Sequence, residues 1–124
     1  MPESITVLNG NYAISRLAPG TEVPSWVSGE FTSVTHTADE ISIVCLETNV
    51  PVNVQADREW TVLKIEGPLS LEETGILSSL LKPLADARIP VFTVSTFDTD
   101  YILVGSGDAH RAVAALTASG HTLR

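Results

Sequence analysis

Basic residues, cysteines and long apolar runs are all scarce in this 124-residue chain. Seven lysines and arginines stand against fifteen acidic residues, which gives a formal charge of -8, and the basic residues are scattered along the chain. An acidic surface without a basic patch repels phosphate groups. Nucleic acids and anionic membranes are therefore poor candidates as partners, and we expect neither.

The single cysteine, Cys45, excludes an intrachain disulfide. It lies in the apolar run 41–46, where a buried, unreactive core thiol is the expected role. No apolar run is long enough to span a bilayer, and no basic residue followed by a hydrophobic stretch opens the sequence. These features predict a soluble, cytoplasmic protein. With 44% hydrophobic residues, the chain can bury a core without disulfides.

The second half of the chain has the clearest pattern of strands and helices. Its elements are, in order, a half-buried strand at 60–66, an apolar-faced helix at 70–88, two β-prone runs within 91–104, a second helix between Asp108 and Gly120, and a last edge strand at 121–124. This order of strand, helix, strand, strand, helix and strand is typical of the ferredoxin-like split βαβ arrangement. The helices are expected to cover one face of an antiparallel sheet.

The first of these helices contains two residues that fit it poorly. Ser70 and Glu73 have the spacing of a capping box, so the helix is expected to begin at Ser70. Gly75 then falls in its first turns, and Pro83 is expected to kink the helix by leaving the carbonyl of Ser79 without its partner. A residue without Cβ permits the close approach of a ligand or of a neighbouring element. The sequence leaves both explanations of Gly75 open.

The first half of the chain resembles a reduced copy of the same plan. We interpret residues 1–59 as an N-terminal module with abbreviated helices and residues 60–124 as a C-terminal module. Alternation of apolar and polar residues over 31–37, followed by the apolar run 41–46, predicts a hairpin with Asp39-Glu40 at its tip, and a single helical turn is expected within 21–27. The predicted fold class is α+β, with two ferredoxin-like modules in tandem.

Two carboxylates, Asp98 and Asp100, stand between two strands that are apolar enough to enter a core. On an extended chain they face the same side, which suits acid–base catalysis or a hard cation held with help from Glu72 or Glu73. No third fixed ligand, no nucleophile beside a base and no phosphate-binding loop accompanies them, and the histidines lack metal-site spacing. We therefore expect no catalysis, no metal and no cofactor. From the residues alone, Asp100 is also explained as a turn residue that bonds its own backbone.

The segment 73–77 (Glu-Thr-Gly-Ile-Leu), followed by residues 94–104, resembles the ACT-domain family, and in particular its branch of CASTOR arginine sensors. Further likeness lies in residues 39–45, 63–69 and 83–87. The resemblance covers most of the chain from about Leu17 onward. It implies a tandem pair of ACT modules that binds an amino acid at an interface between modules or protomers and has no catalytic activity.

Carried over by position, the resemblance implies ligand-binding residues at a helix start and on the hairpin: Thr74, Gly75, Ile76, Ser95, Thr96, Phe97, Thr99 and Asp100. In the arginine sensors the matching acid meets the cationic side chain of the ligand, so Asp100 is the expected contact and Asp98 a turn residue. Because this chain carries one pair of modules, the resemblance also implies a homodimer. The alternative is a structural or interaction module that dimerises through the same fold without a ligand.

Overall fold

The computed structural model describes residues 2–124, which form eight strands and two α-helices. The elements are β1 (Ser4–Val7), β2 (Tyr12–Leu17), β3 (Ser33–His36), β4 (Ile41–Leu46), β5 (Ala56–Ile65), α1 (Ile76–Asp86), β6 (Val91–Ser95), β7 (Asp100–Gly105), α2 (Ala109–Ala118) and β8 (Thr122–Leu123). Contacts divide them into a terminal unit, made of residues up to Asn9 and Thr61–Arg124, and an inserted unit, Gly10–Trp60. Within residues 2–124, no helix has the length and apolarity needed to cross a membrane.

The sheet of the terminal unit has the strand order β6-β7-β5-β1-β8. Strand β1 runs antiparallel to the second half of β5, with Ile5 opposite Ile65, and parallel to β8, with Ile5 opposite Leu123. Strand β1, from the start of the chain, therefore lies between β5 and β8. These two are the first and last strands of the βαββαβ order expected from the C-terminal half. Ile5 explains this placement, because its side chain is fully buried in the core of the unit.

Both helices of the terminal unit cover the same face of its sheet. Leu80 and Leu84, four residues apart on α1, are fully buried against strand residues such as Ile65 and Ile102. Leu116 of α2 belongs to the same cluster. The predicted α+β class, with a ferredoxin-like arrangement of helices on one face of a mainly antiparallel sheet, is confirmed.

Helix α1 begins later than the sequence predicts. Its first residue is Ile76 and its N-cap is Gly75, whose φ of 81° lies outside the right-handed helical region. The expected start at Ser70 is wrong for this reason, although part of the predicted capping pattern forms: the Ser70 N–H donates to Glu73 Oε1 at 3.2 Å. Pro83 does lie inside the helix, as expected.

The inserted unit consists of strands β2, β3 and β4 with the first half of β5. The predicted hairpin is present, since β3 and β4 pair from Ser33 opposite Val44 to His36 opposite Ile41. Cys45 is fully buried, as expected, and burial raises the pKa of its thiol. No α-helix forms within residues 10–60, so the expected helical turn at 21–27 is reduced to one bond from the Val27 N–H to the Pro24 carbonyl.

A buried hydroxyl of the inserted unit, that of Ser15 on β2, has no hydrogen-bond partner within residues 2–124. Ser15 is 1% exposed, so its hydroxyl has lost water without gaining a bond. We expect Ser15→Ala to raise the free energy of unfolding by about 1 kcal/mol. Urea unfolding measures this as a higher midpoint at unchanged slope, with the half-buried Ser33→Ala as the control. A lower midpoint for Ser15→Ala would mean that an ordered water satisfies the hydroxyl.

Candidate functional site

The turn between β6 and β7 is held by the two threonines at its ends. The Thr96 N–H donates to the Thr99 carbonyl at 2.8 Å, and the Thr99 N–H donates to Thr96 Oγ1 at 3.2 Å. Phe97 and Asp98 form the tip between them, and Phe97 is 80% exposed. Asp98 is thus an exposed turn residue, as the sequence predicts. Hydrogen bonding of a polar side chain to nearby backbone is the usual way that such turns are fixed.

The loop that follows β5 is tied to this turn by backbone contacts. The Leu69 N–H donates to the Asp98 carbonyl at 2.6 Å, and the hydroxyl of the buried Thr99 donates to the carbonyl of Ile65. Gly67 makes the approach possible, because a Cβ at that position would lie 2.8 Å from the Asp98 carbonyl oxygen. The Thr99 hydroxyl is therefore used by the fold, and it fixes the turn against the end of β5.

The start of α1 lies beside the same turn. The bond from the Ser79 N–H to the Gly75 carbonyl, 2.9 Å, is the first of the helix, and no side chain caps the N–H groups that precede it. Such N–H groups, at the positive end of the helix dipole, attract anions. A Cβ on Gly75 would have no atom within 4 Å, so close packing does not explain this glycine. The positive φ of Gly75 explains why a glycine occupies this position.

These two segments enclose a cleft of about 300 Å³. Seven of the eight ligand-binding residues predicted from the resemblance line it, namely Gly75, Ile76, Ser95, Thr96, Phe97, Thr99 and Asp100. Thr74 is exposed on the loop and does not line the cleft. Further lining residues on the loop and the first turn of α1 were not among the ligand-binding residues predicted from the resemblance: Leu69, Ser70, Leu71, Glu73, Leu77 and Ser78. Of these, the sequence analysis had considered only Glu73, as an aid to holding a cation. The dipeptide Gly67-Pro68 ends the strand pattern, and it was the feature of the sequence that indicated a change of chain direction after β5.

The cleft is acidic, with Glu73, Asp98 and Asp100 among its lining residues and no lysine or arginine. Asp100 is half-buried, and its Oδ1 accepts a hydrogen bond from the Ser95 hydroxyl at 2.5 Å. The two residues are direct cross-strand partners, so the pairing of β6 with β7 sets this contact. Within the described residues no ion pair involves Asp100. A carboxylate placed in this way can accept hydrogen bonds from a cation that enters the cleft.

Other polar groups of the terminal unit are used within the fold. Glu66 Oε1 accepts from the Thr6 hydroxyl at 2.6 Å, a bond that lowers the pKa of the Glu66 carboxyl, with Lys64 and Arg124 acting in the same direction. Among residues 2–124, no group of three or more His, Cys, Asp or Glu side chains is arranged to hold a metal ion.

Comparison with solved structures identifies the architecture. A crystal structure of an Agobacterium tumefaciens protein matches with a TM-score of 0.94 and 41% sequence identity over 100% of this chain and 93% of that one. Clostridium acetobutylicum aspartate kinase matches at TM-score 0.70 and 14% identity, over 93% of this chain and 34% of the enzyme. The regulatory subunit of aspartate kinase from Thermus flavus matches at TM-score 0.66 and 7% identity, over 93% of this chain and 95% of that chain.

Fold and cleft together define a small α+β domain of the ferredoxin-like class, with a cleft between a helix start and a hairpin turn. The sequence profile of the ACT domain matches residues 55–118, and a second profile, described as an N-terminal domain, matches residues 10–53. The chain belongs to the ACT domain family.

Proposed function

We propose that this protein is a non-catalytic regulatory module that binds a free amino acid in the cleft between α1 and the β6–β7 turn. The observation that carries the proposal is Asp100, a half-buried carboxylate without an ion-pair partner within residues 2–124, in a cleft that no basic residue lines. An unpaired carboxylate at the wall of a cleft favours a ligand with a positively charged group.

The opposite wall of the cleft, at the start of α1, is suited to the negatively charged group of the same ligand. The first N–H groups of α1 lack side-chain caps, and they are suited to the α-carboxylate of an amino acid. Asp100 and the Ser95 hydroxyl then accept from the ammonium group or from a basic side chain. A cleft of about 300 Å³ is at the lower end of the range for small-molecule sites and suits a ligand of this size.

The family supports a regulatory role, since one structural relative is described as the regulatory subunit of aspartate kinase. We extend the proposal to the branch of ACT proteins that includes the CASTOR arginine sensors, and hence to a basic amino acid as the first ligand to test. In the same proposal residues 1–59 and 60–124 are the two tandem modules, with β1 of the first completing the sheet of the second. The protein is a cytoplasmic homodimer, and Thr74 contributes to the site from the exposed loop before α1.

An interaction module without a ligand is the second candidate. Phe97 is 80% exposed and Leu71 is 72% exposed, and both line the cleft. Exposed apolar side chains that lie together mark contact surfaces more often than scattered ones do. In this alternative the cleft and its rim serve only to pair the protein with itself or with another protein.

A thermal-shift panel over the twenty amino acids tests the proposal. A ligand at about 100 times its Kd adds about 2.7 kcal/mol to the stability of the folded state, which raises Tm by roughly 10 °C for a chain of this size. We expect a rise for at least one amino acid, with basic ones first, and a dimeric mass by light scattering. If millimolar concentrations of all twenty leave Tm unchanged while the protein is dimeric, the interaction module is the correct function.

A further inference from the structure

The β6–β7 turn borders a second cavity, on the face of the terminal unit's sheet that is turned away from the helices. Leu63 and Ile65 belong to the core cluster beneath the helices, so Lys64, between them on β5, points to the opposite face. The same alternation on β7 places Asp100 on the helix side and its neighbour Tyr101 on the reverse side. Lys64, Tyr101, the end of β5 and the turn line a reverse groove of about 430 Å³.

Lys64 gives the reverse groove a positive charge without a direct partner. The residue is half-buried, and within residues 2–124 its ammonium group forms no ion pair and no side-chain hydrogen bond. An ammonium group carries three N–H donors. Half-burial removes part of its hydration, so these donors favour an anion that enters the groove.

The carboxylate best placed to pair with Lys64 is engaged elsewhere. Glu66 lies two positions further along the chain and therefore on the same face. Its Oε1 accepts from the Thr6 hydroxyl at 2.6 Å, and its Oε2 lies 3.7 Å from Nη1 of Arg124. The bond with Thr6 lowers the pKa of the Glu66 carboxyl, and the charge of Lys64 adds to this effect without a direct contact. The fold thus compensates Glu66 through other groups and leaves the donors of Lys64 to a ligand or to water.

The reverse groove also offers a second donor and little repulsion to an anion. Gly67 lines it, and the backbone N–H of Gly67 donates to no group within residues 2–124. The second carboxylate at the groove, that of Asp98, is exposed at the tip of the turn, where water screens its charge. Tyr101 and two threonines make the remaining lining largely polar.

We propose that the reverse groove is a second binding site, which takes a small polar carboxylate through Lys64. Its charge is the opposite of that of the cleft on the helix side, where Asp100 lies and no basic residue lines the wall. The two sites share the β6–β7 turn and lie on opposite faces of the sheet. A volume of about 430 Å³ holds a ligand with several carbon atoms, so a dicarboxylate such as succinate is a suitable probe.

A titration of the wild-type protein with sodium succinate, followed by NMR of the backbone amides, tests the site. We expect saturable shifts at residues 64–67 and at Tyr101, and none of these with sodium chloride at equal ionic strength, which gives the same screening. The proposal is overturned if chloride reproduces the shifts or if no shift saturates at tens of millimolar succinate. Shifts centred on residues 75–79 would place the anion at the start of α1 and also overturn it.

Two lysine variants test the role of the ammonium group. Lys64→Gln should lower the affinity for succinate about tenfold or more, the effect of losing a hydrogen bond between two charged groups. Lys82→Gln removes the same charge from the other lysine of the chain, which is exposed and paired with Asp86, so it should bind as the wild type does. Equal losses in the two variants would overturn the role of Lys64. Should Lys64→Gln fail to fold, Lys64→Arg, which keeps the charge, and the wild-type titration decide the question.

These experiments are independent of the proposed amino-acid function. Succinate has no ammonium group, so it lacks the part of the ligand that Asp100 is proposed to bind. If an amino acid raises Tm and succinate does not bind, only the second site is lost. If succinate binds at residues 64–67 and no amino acid raises Tm, only the proposed function fails.

Discussion

Replacing Asp100 with alanine is expected to reduce the thermal response to the amino acid that the protein binds by half or more, while the Tm of the unliganded protein stays within a few degrees of the wild type. The only hydrogen bond that the Asp100 side chain makes among the described residues is with the exposed Ser95 hydroxyl, so the fold depends little on this carboxylate. A hydrogen bond to a charged group is worth about 1.5–3 kcal/mol, which corresponds to a loss of roughly 10- to 150-fold in affinity. Isothermal titration calorimetry of both proteins measures this difference.

Asp98→Ala is the matched control for this experiment. Asp98 lies two residues away, lines the same cleft and is exposed at the turn, so its loss changes the net charge equally. We expect at most a small reduction in affinity, because exposed charges interact weakly across water. The opposite pattern, with affinity lost in Asp98→Ala and retained in Asp100→Ala, would transfer the cation-binding role to Asp98. Ser95→Ala should give an intermediate loss, since its hydroxyl orients the Asp100 carboxylate.

Local patterns in the sequence predict the elements that form the cleft. The two β-prone runs on either side of residues 96–99 appear as β6 and β7, and the apolar spacing of Leu80 and Leu84 gives the buried face of α1. Each of these features depends on the periodicity of apolar side chains along a single segment, and that periodicity can be read directly from the sequence. The pairing of Ser95 with Asp100 follows from the same hairpin.

Features that depend on contacts between distant segments were not predictable from these patterns. The insertion of β1 between β5 and β8 is determined by burial of Ile5 against residues from Leu63 onward in the chain. The start of α1 at Ile76 depends on the φ of Gly75, and the capping pattern at Ser70 gave a competing local signal. Pro83 was recognised as a disruption, but nothing in its neighbourhood indicates that the ring of His121 places Nε2 3.2 Å from the carbonyl oxygen of Ser79, the residue four positions before the proline.

The cleft itself results from such a distant contact. Its two walls come from segments 69–78 and 95–100, and the approach of their backbones at Leu69 and Asp98 fixes the distance between them. Ligand-binding residues inferred from the resemblance lie on both walls of the cleft. Their relative placement therefore depends on the backbone contact between Leu69 and Asp98, neither of which is one of them. Gly67 is the residue that allows this contact.

We expect Gly67→Ala to lower ligand affinity at least tenfold and to destabilise the protein by about 1–3 kcal/mol. The added Cβ would lie 2.8 Å from the Asp98 carbonyl oxygen and 3.2 Å from the Leu69 nitrogen, both backbone atoms that cannot rotate away. The hydrogen bond between Leu69 and Asp98, 2.6 Å, must then lengthen and the loop must move from the turn. The φ of Gly67 is not positive, so the contact alone, and no backbone strain of the alanine, causes the effect.

Gly107→Ala separates this effect from the general cost of replacing a glycine. Gly107 also has no positive φ, and a Cβ there would have no atom within 4 Å, so its Tm and affinity should match the wild type. Urea unfolding gives the stability of each variant and calorimetry gives its affinity. Equal behaviour of Gly67→Ala and Gly107→Ala would mean that the loop adapts to the extra methyl group and that the contact between Leu69 and Asp98 does not set the width of the cleft. A loss of affinity confined to Gly67→Ala would instead show that ligand binding requires the two walls at their present separation.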